Sequence, residues 1–321
     1  MIPEGMRMPT YRDALPQTQG RVMLTDSGVE TDVIFGAGRD LPGFALFPLL
    51  AEDEGRAILE RYYREHLDVA ARYGTGYVLE TPSWRSNPDW GASLGFTQGA
   101  LDDLDRAGVE FLAGIRDSSP QMAGPMPVSG NLGPRGDGYQ VGAAMAADEA
   151  RRYHSHQIGV FADAGCDLVS ACTLTYAGEG LGIALAAREL GMPVVLYFTL
   201  ETDGRLPDGS SLRDVIGDID AATDGYVAHY GINCAHPDHI APALADAGDW
   251  TLRLGAVRAN ASRLSHAELD EAEELDDGDP DELATGYTRL VEALPNATVF
   301  GGCCGTDARH LRAIAAAVVP A

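Results

Sequence analysis

The 321-residue chain contains no lysine. All 23 basic residues are arginine, set against 48 acidic ones, for a formal net charge of −25. A field that negative repels phosphate backbones and anionic headgroups, which argues against nucleic acid and membrane as partners. No stretch reaches the ~18–20 consecutive apolar residues of a membrane span, and the first residues, Met1 to Arg7, lack the apolar core of a secretory signal. Cysteine is scarce: five residues, an odd number, two of them adjacent. A disulfide framework is therefore not expected. These absences predict a cytoplasmic protein whose cysteines are small buried hydrophobes or ligands.

What is present is an ordinary globular composition, 45% hydrophobic, arranged in a regular rhythm. Short apolar runs predict strands at Arg21–Thr25, Tyr77–Leu79, Met126–Gly130, Asp167–Ala171, Pro193–Phe198, Tyr226–Ile232, Thr251–Val257 and Thr298–Phe300. Helical patterns lie between them, for example Asp53–Tyr73, with Ile58, Tyr62 and Leu67 on one face. Eight strand–helix units imply parallel pairing through helical crossovers and a closed (β/α)8 TIM barrel, an α/β fold in one domain spanning 1–321. Residues 1–20 read as a lead-in and 260–281 as an acidic insertion. A doubly wound open sheet is the alternative, but no Gly-x-Gly-x-x-Gly follows the first strand.

In such a barrel the chemistry sits where the strands end. Asn233-Cys234 closes the sixth strand, and Gly301-Gly302-Cys303-Cys304-Gly305-Thr306 closes the eighth. Strands two apart lie ~10 Å from one another, so inward-leaning sulfurs from both can meet at one metal. Three thiolates leave a fourth tetrahedral position open, and their softness selects zinc over magnesium, calcium or manganese. Cys234, Cys303 and Cys304 are the expected ligands of Zn2+. Cys166 and Cys172 read as packing residues.

Gly231-Ile232-Asn233-Cys234 and Gly301–Thr306 resemble the two zinc motifs of the homocysteine S-methyltransferase family. Asp26-Ser27-Gly28 and Asn131-Leu132-Gly133-Pro134 resemble its first and third strand ends, and the likeness spans about residues 21–318. The resemblance implies a cytoplasmic zinc enzyme of methionine biosynthesis. The substrate thiol would lose its proton at the metal and attack a methyl group on a cationic donor: S-methylmethionine, S-adenosylmethionine or a betaine-like ammonium. It also implies substrate contacts from Asp26, Glu80, Thr173 and Asn233, with Asp26 against the amine and Asn233 steadying the Cys234 loop. The partners would be a small thiol and a methyl donor. Trp84, Trp90, Phe96, Tyr139 and Tyr176 offer an aromatic wall for the donor's cation, or are simply packing. Two departures stand out. Many family members carry a glutamate after the fourth strand, where this chain reads Ala171-Cys172-Thr173. Pro82 also interrupts the motif after the second strand.

Two other readings of a cysteine-rich site remain: a zinc hydrolase, with His236 and His239 the histidines nearest in sequence, and a non-catalytic zinc-binding barrel. The carboxylate-rich stretch Leu264–Asp281 reads as a solvated insertion after the seventh strand, without the spacing of a calcium loop.

The acidic, lysine-free surface has two explanations, adaptation to high salt or coding bias with a merely acidic exterior. Thermal unfolding across an ionic-strength series separates them. Salt adaptation predicts loss of the fold on desalting; an unchanged midpoint rules it out.

Overall fold

The computed structural model describes residues 7–272 and 274–319. Its strands are β1 (Met23–Leu24), β2 (Gly76–Tyr77 with Leu79–Glu80), β3 (Val128–Leu132), β4 (Leu168–Leu174), β5 (Val194–Phe198), β6 (His229–Asn233), β7 (Leu254–Ala259) and β8 (Val299–Gly302). The two halves of β2 form one run: at Val78 the amide still donates to the Leu24 carbonyl at 2.8 Å, and at Leu79 the amide turns to Pro127 at 2.9 Å. All pairing is parallel. β1 lies between β2 (Met23 opposite Gly76) and β8 (Met23 opposite Val299), while β2 continues to β3 (Leu79 opposite Val128), so the ring closes. This is the expected (β/α)8 barrel.

Alternation along each strand divides the core in two. Inward positions such as Met23, Leu168, Val195, Tyr197, Ala256 and Val299 fill the barrel itself. Outward ones such as Leu24, Leu79, Phe198 and Ile232 pack under the helices in the larger cluster. With both faces covered, strands read as continuous apolar runs. The helix Asp53–Tyr73 ends on Gly74, whose φ of 67° is the left-handed conformation that a helix C-terminus needs. No helix among the described residues is long and apolar enough to cross a membrane.

Where the sequence predicts the fourth strand to stop at Ala171, β4 runs on to Leu174. The pairing with β5 slips between Ala171 and Leu174, and Thr173 takes a left-handed φ of 63°. A bulge of this kind re-aims side chains, here turning Thr173 toward the barrel mouth. The acidic stretch is also less detached than expected. Ser265 caps a short helix, His266–Asp270, whose first residue is buried, and the Asp276 carbonyl lies 2.7 Å from where a Cβ on Gly305 would stand. Among the described residues its carboxylates are mostly exposed, while its backbone covers the loop after β8.

Tyr287, on the helix Pro280–Ala293, ties together the last two strands, β7 and β8, the second of which leads into Cys303 and Cys304. Its fully buried hydroxyl accepts from the Ala259 amide at 2.8 Å and donates to the Gly301 carbonyl. Tyr287→Phe leaves both groups unpaired in the interior, so unfolding free energy should fall by about 1–3 kcal/mol. Denaturant titration against the native chain measures it; a change near zero would mean water replaces the hydroxyl.

Candidate metal centre

The loops after β6 and β8 are fixed by backbone before any side chain is considered. The Gly302 amide donates to the Asp26 carbonyl at 2.8 Å, Cys303 to Ala259 at 2.9 Å and Cys234 to Arg258 at 3.0 Å. Cys234 has φ of 53°, an uncommon conformation for a side-chain-bearing residue, and its carbonyl is clamped by the His266 ring at 2.6 Å and the Asn260 amide at 3.2 Å. Gly301 and Gly302 are needed here: a Cβ on either would fall within 2.5 Å of the Asp26 carbonyl or 2.0 Å of the Thr306 hydroxyl.

The sulfurs of Cys234, Cys303 and Cys304 consequently lie within 4.8 Å of one another. Three sulfurs around one tetrahedral zinc stand ~3.8 Å apart, so this set fits the ion. Cys234 and Cys303 are joined as a disulfide, their Cα atoms 5.3 Å apart. That pairing was not expected; it follows from two thiols converging at the mouth of one barrel. Reduction would have to precede metal binding, because only thiolates ligate. Burial pushes the Cys304 thiol up to about 11, its hydrogen bond to Tyr139 opposing and Glu30 adding.

The cysteines floor a small chamber of about 50 Å3 that is also lined by Asp26, Glu30, Asn131, Thr173, Asn233 and Arg258. Asn233 accepts from the Thr173 amide at 2.9 Å, donates to the Thr173 hydroxyl at 2.8 Å and reaches 3.9 Å toward Cys303 sulfur. It fixes the bulge of β4 to the metal loops. Burial pushes the Asp26 carboxyl up to about 8, with Arg258 opposing and Glu80 adding; the Tyr77 hydroxyl donates to it at 2.8 Å. The buried Asn131 Oδ1 has no partner. Glu80 is placed differently. Its carboxylate accepts from Ser170 inside the barrel, below the chamber, and does not line it.

A larger cavity of about 400 Å3 opens outside the chamber. The two share Phe44, Trp84, Tyr139 and Cys304 in their walls. Asp137, Asp270, Glu274 and Asp276 face the outer cavity. Tyr139 is the residue whose role the sequence did not reveal: its hydroxyl sits 3.5 Å from Cys304 sulfur and 3.6 Å from Cys234 sulfur, and its ring stacks on His266 at 4.4 Å. Only its aromatic character was visible in the sequence. The other aromatics are spoken for. Trp84 and Trp90 clasp the Arg85 guanidinium, each 3.9 Å from its carbon. Phe96 packs on Phe47, and the Tyr176 hydroxyl accepts from the Met145 amide. The wall offered to a donor's cation is thus filled at its centre by the protein's own cation.

His236 and His239 stand apart from the sulfurs. His236 accepts from Asp238 to cap the helix Pro237–Ala243, and burial lowers its pKa to about 4. Among the described residues the only candidate metal cluster is the cysteine triad.

Comparison with known proteins finds relatives along most of the chain. A family model described as homocysteine S-methyltransferase matches residues 38–318. Homocysteine S-methyltransferase 4 of Zea mays is 24% identical over 322 residues, covering 93% of this chain and 90% of its own. The oxidized form of the homocysteine methyltransferase MmuM from Escherichia coli superposes with a TM-score of 0.74 at 24% identity, over 95% of this chain and 98% of its own. Its metallated form gives 0.73 at 22%, over 92% and 96%. These two structures bear on the fold.

The raised Asp26 pKa has a consequence for stability. The folded chain keeps a proton that the unfolded chain, with an ordinary value of 3.8, gives up. Stability from this group is complete below about pH 4 and is lost as pH rises toward about 8. Asp26→Asn should flatten that part of the stability curve of the ligand-free protein, measured by thermal unfolding from pH 5 to 9. An unaltered slope would place the titration elsewhere.

Proposed function

Since the chain belongs to the homocysteine S-methyltransferase family, we propose that it is a zinc-dependent enzyme moving a methyl group from a cationic donor to homocysteine or a related thiol. It is a methyltransferase of that family's kind, acting on homocysteine-type acceptors; the metal, the donor and the residue roles are our reading. The observation that carries it is the nesting of two cavities that meet at Cys304 and Tyr139. A two-substrate transfer needs an acceptor sulfur and a donor methyl brought in line, one from each compartment.

Zinc held by Cys234, Cys303 and Cys304 would supply one thing: an open position at which a thiol loses its proton, so that no side-chain base is required. The rest falls to the chain. Asp26 and the unpartnered Asn131 oxygen are acceptors suited to an ammonium group in the chamber. Thr173, fixed by Asn233, shapes the wall beside the sulfurs. Glu80, turned inward, acts on the substrate only through the field it adds to Asp26. The Tyr139 hydroxyl stands against the Cys234 and Cys304 sulfurs, within reach of a group bound beside them. The four outer carboxylates favour a sulfonium or ammonium donor over a neutral one. We read residues 1–321 as a single barrel domain, with 1–20 as lead-in, of which 1–6 lie outside the described residues, and 260–281 as an acidic segment whose described residues help wall the outer cavity.

Metal analysis of reduced protein should find about one zinc per chain, and Cys234→Ser should lose it. Oxidised protein should not load. The loaded enzyme should methylate homocysteine from at least one of the three donor types, read as thioether product. Zinc content independent of Cys234 would remove the proposed site, and a chain that methylates no thiol would remove the activity.

A further inference from the structure

Arg258 is a charged side chain in an unusual place. It follows Ala256 on the inward face of β7 and is 6% exposed at the top of the barrel interior. Its hydrogen-bond partners are weak ones for a guanidinium: Nε donates to the Gly302 carbonyl at 3.4 Å and Nη1 to the Cys172 sulfur at 3.6 Å. Neither is a carboxylate, and among the described residues none lies within ion-pair distance of it. Asp26 and Glu80 act on the guanidinium from beyond contact, so its fork is left without a bidentate partner that an incoming anion could supply. The guanidinium lines the same chamber as the three cysteines, Asp26 and Asn131. Its planar fork matches the two oxygens of a carboxylate.

We propose that Arg258 receives the carboxylate of the acceptor thiol, so that the enzyme selects thiols bearing a carboxylate a few bonds from the sulfur. This rests on the transferase reading given above. The amine end then falls to Asp26 and Asn131, and the sulfur to the cysteine triad. One small chamber thereby reads three groups of the same molecule. Cys172 has a role in this: at the point on β4 closest to Arg258 it offers a thiol, which burial pushes up to about 12 and keeps neutral, rather than a side-chain anion that would neutralise the guanidinium internally.

The test uses reduced, zinc-loaded full-length protein and three acceptors: homocysteine, 4-mercaptobutyrate (no amine) and 3-mercaptopropylamine (no carboxylate). Calorimetric binding of their S-methyl products, which needs no turnover, runs beside methyl transfer. Wild type should bind the carboxylate-bearing thioethers roughly 10- to 100-fold more tightly than 3-(methylthio)propylamine, and the same ratio should appear in acceptor KM. Arg258→Gln should abolish the ratio, and Arg258→Lys, which keeps the charge but not the fork, should reduce it about tenfold. Circular dichroism reports whether each variant folds. If the glutamine variant does not fold, the lysine variant decides. Equal binding of the thioethers by wild type, or a ratio unchanged in a folded variant, overturns the inference. Methyl transfer without carboxylate discrimination overturns it while leaving the transferase reading intact. Arg258-dependent discrimination without methyl transfer upholds it and defeats the transferase reading.

Discussion

Everything at the mouth of this barrel hangs on closure between the first strand and the last. β1 is only two residues long, yet it pairs on both sides, and just beyond it the Asp26 carbonyl accepts the Gly302 amide. That single register places the carboxylate of Asp26 beside the loop that carries Cys303 and Cys304. Glycine at 301 and 302 is what lets the chains approach so closely. The metal loops are thus held by main chain, and the sulfurs inherit their positions.

The second constraint is charge in a low-dielectric interior. Asp26, Glu80 and Arg258 share the top of the barrel, and each is displaced from its ordinary titration: burial raises both carboxyls, while neighbouring acidic groups outweigh burial for the guanidinium. Barrel interiors are otherwise filled with branched apolar side chains, as this one is lower down at Leu168, Val195 and Val299. The polar layer begins where the chemistry begins.

Much of this was legible in the sequence because strand ends in a parallel barrel are local events. An apolar run that stops at Asn233-Cys234, or at Gly301–Cys304, announces both the strand and the residues beyond it. The family resemblance rests on those same stretches. The illegible parts are those in which a side chain chooses a partner from far along the chain. Tyr139 meets Cys304 across 165 residues, and Asn233 meets Thr173 across 60. Nothing near Arg85 in sequence says that it will fill the space between Trp84 and Trp90, although they are close neighbours, because the clasp depends on how the loop turns. The bulge at Thr173 is hidden for a related reason: β-branched residues seldom adopt positive φ, so no propensity argument would place one there. The acidic stretch misled through composition, since its run of carboxylates says nothing of the backbone that packs over Gly305.

The two cavities have a wall in common. Phe44, Trp84, Tyr139 and Cys304 line both, so a change at any one of these side chains alters the two compartments at once. At the place where they meet, neither space can be reshaped without the other.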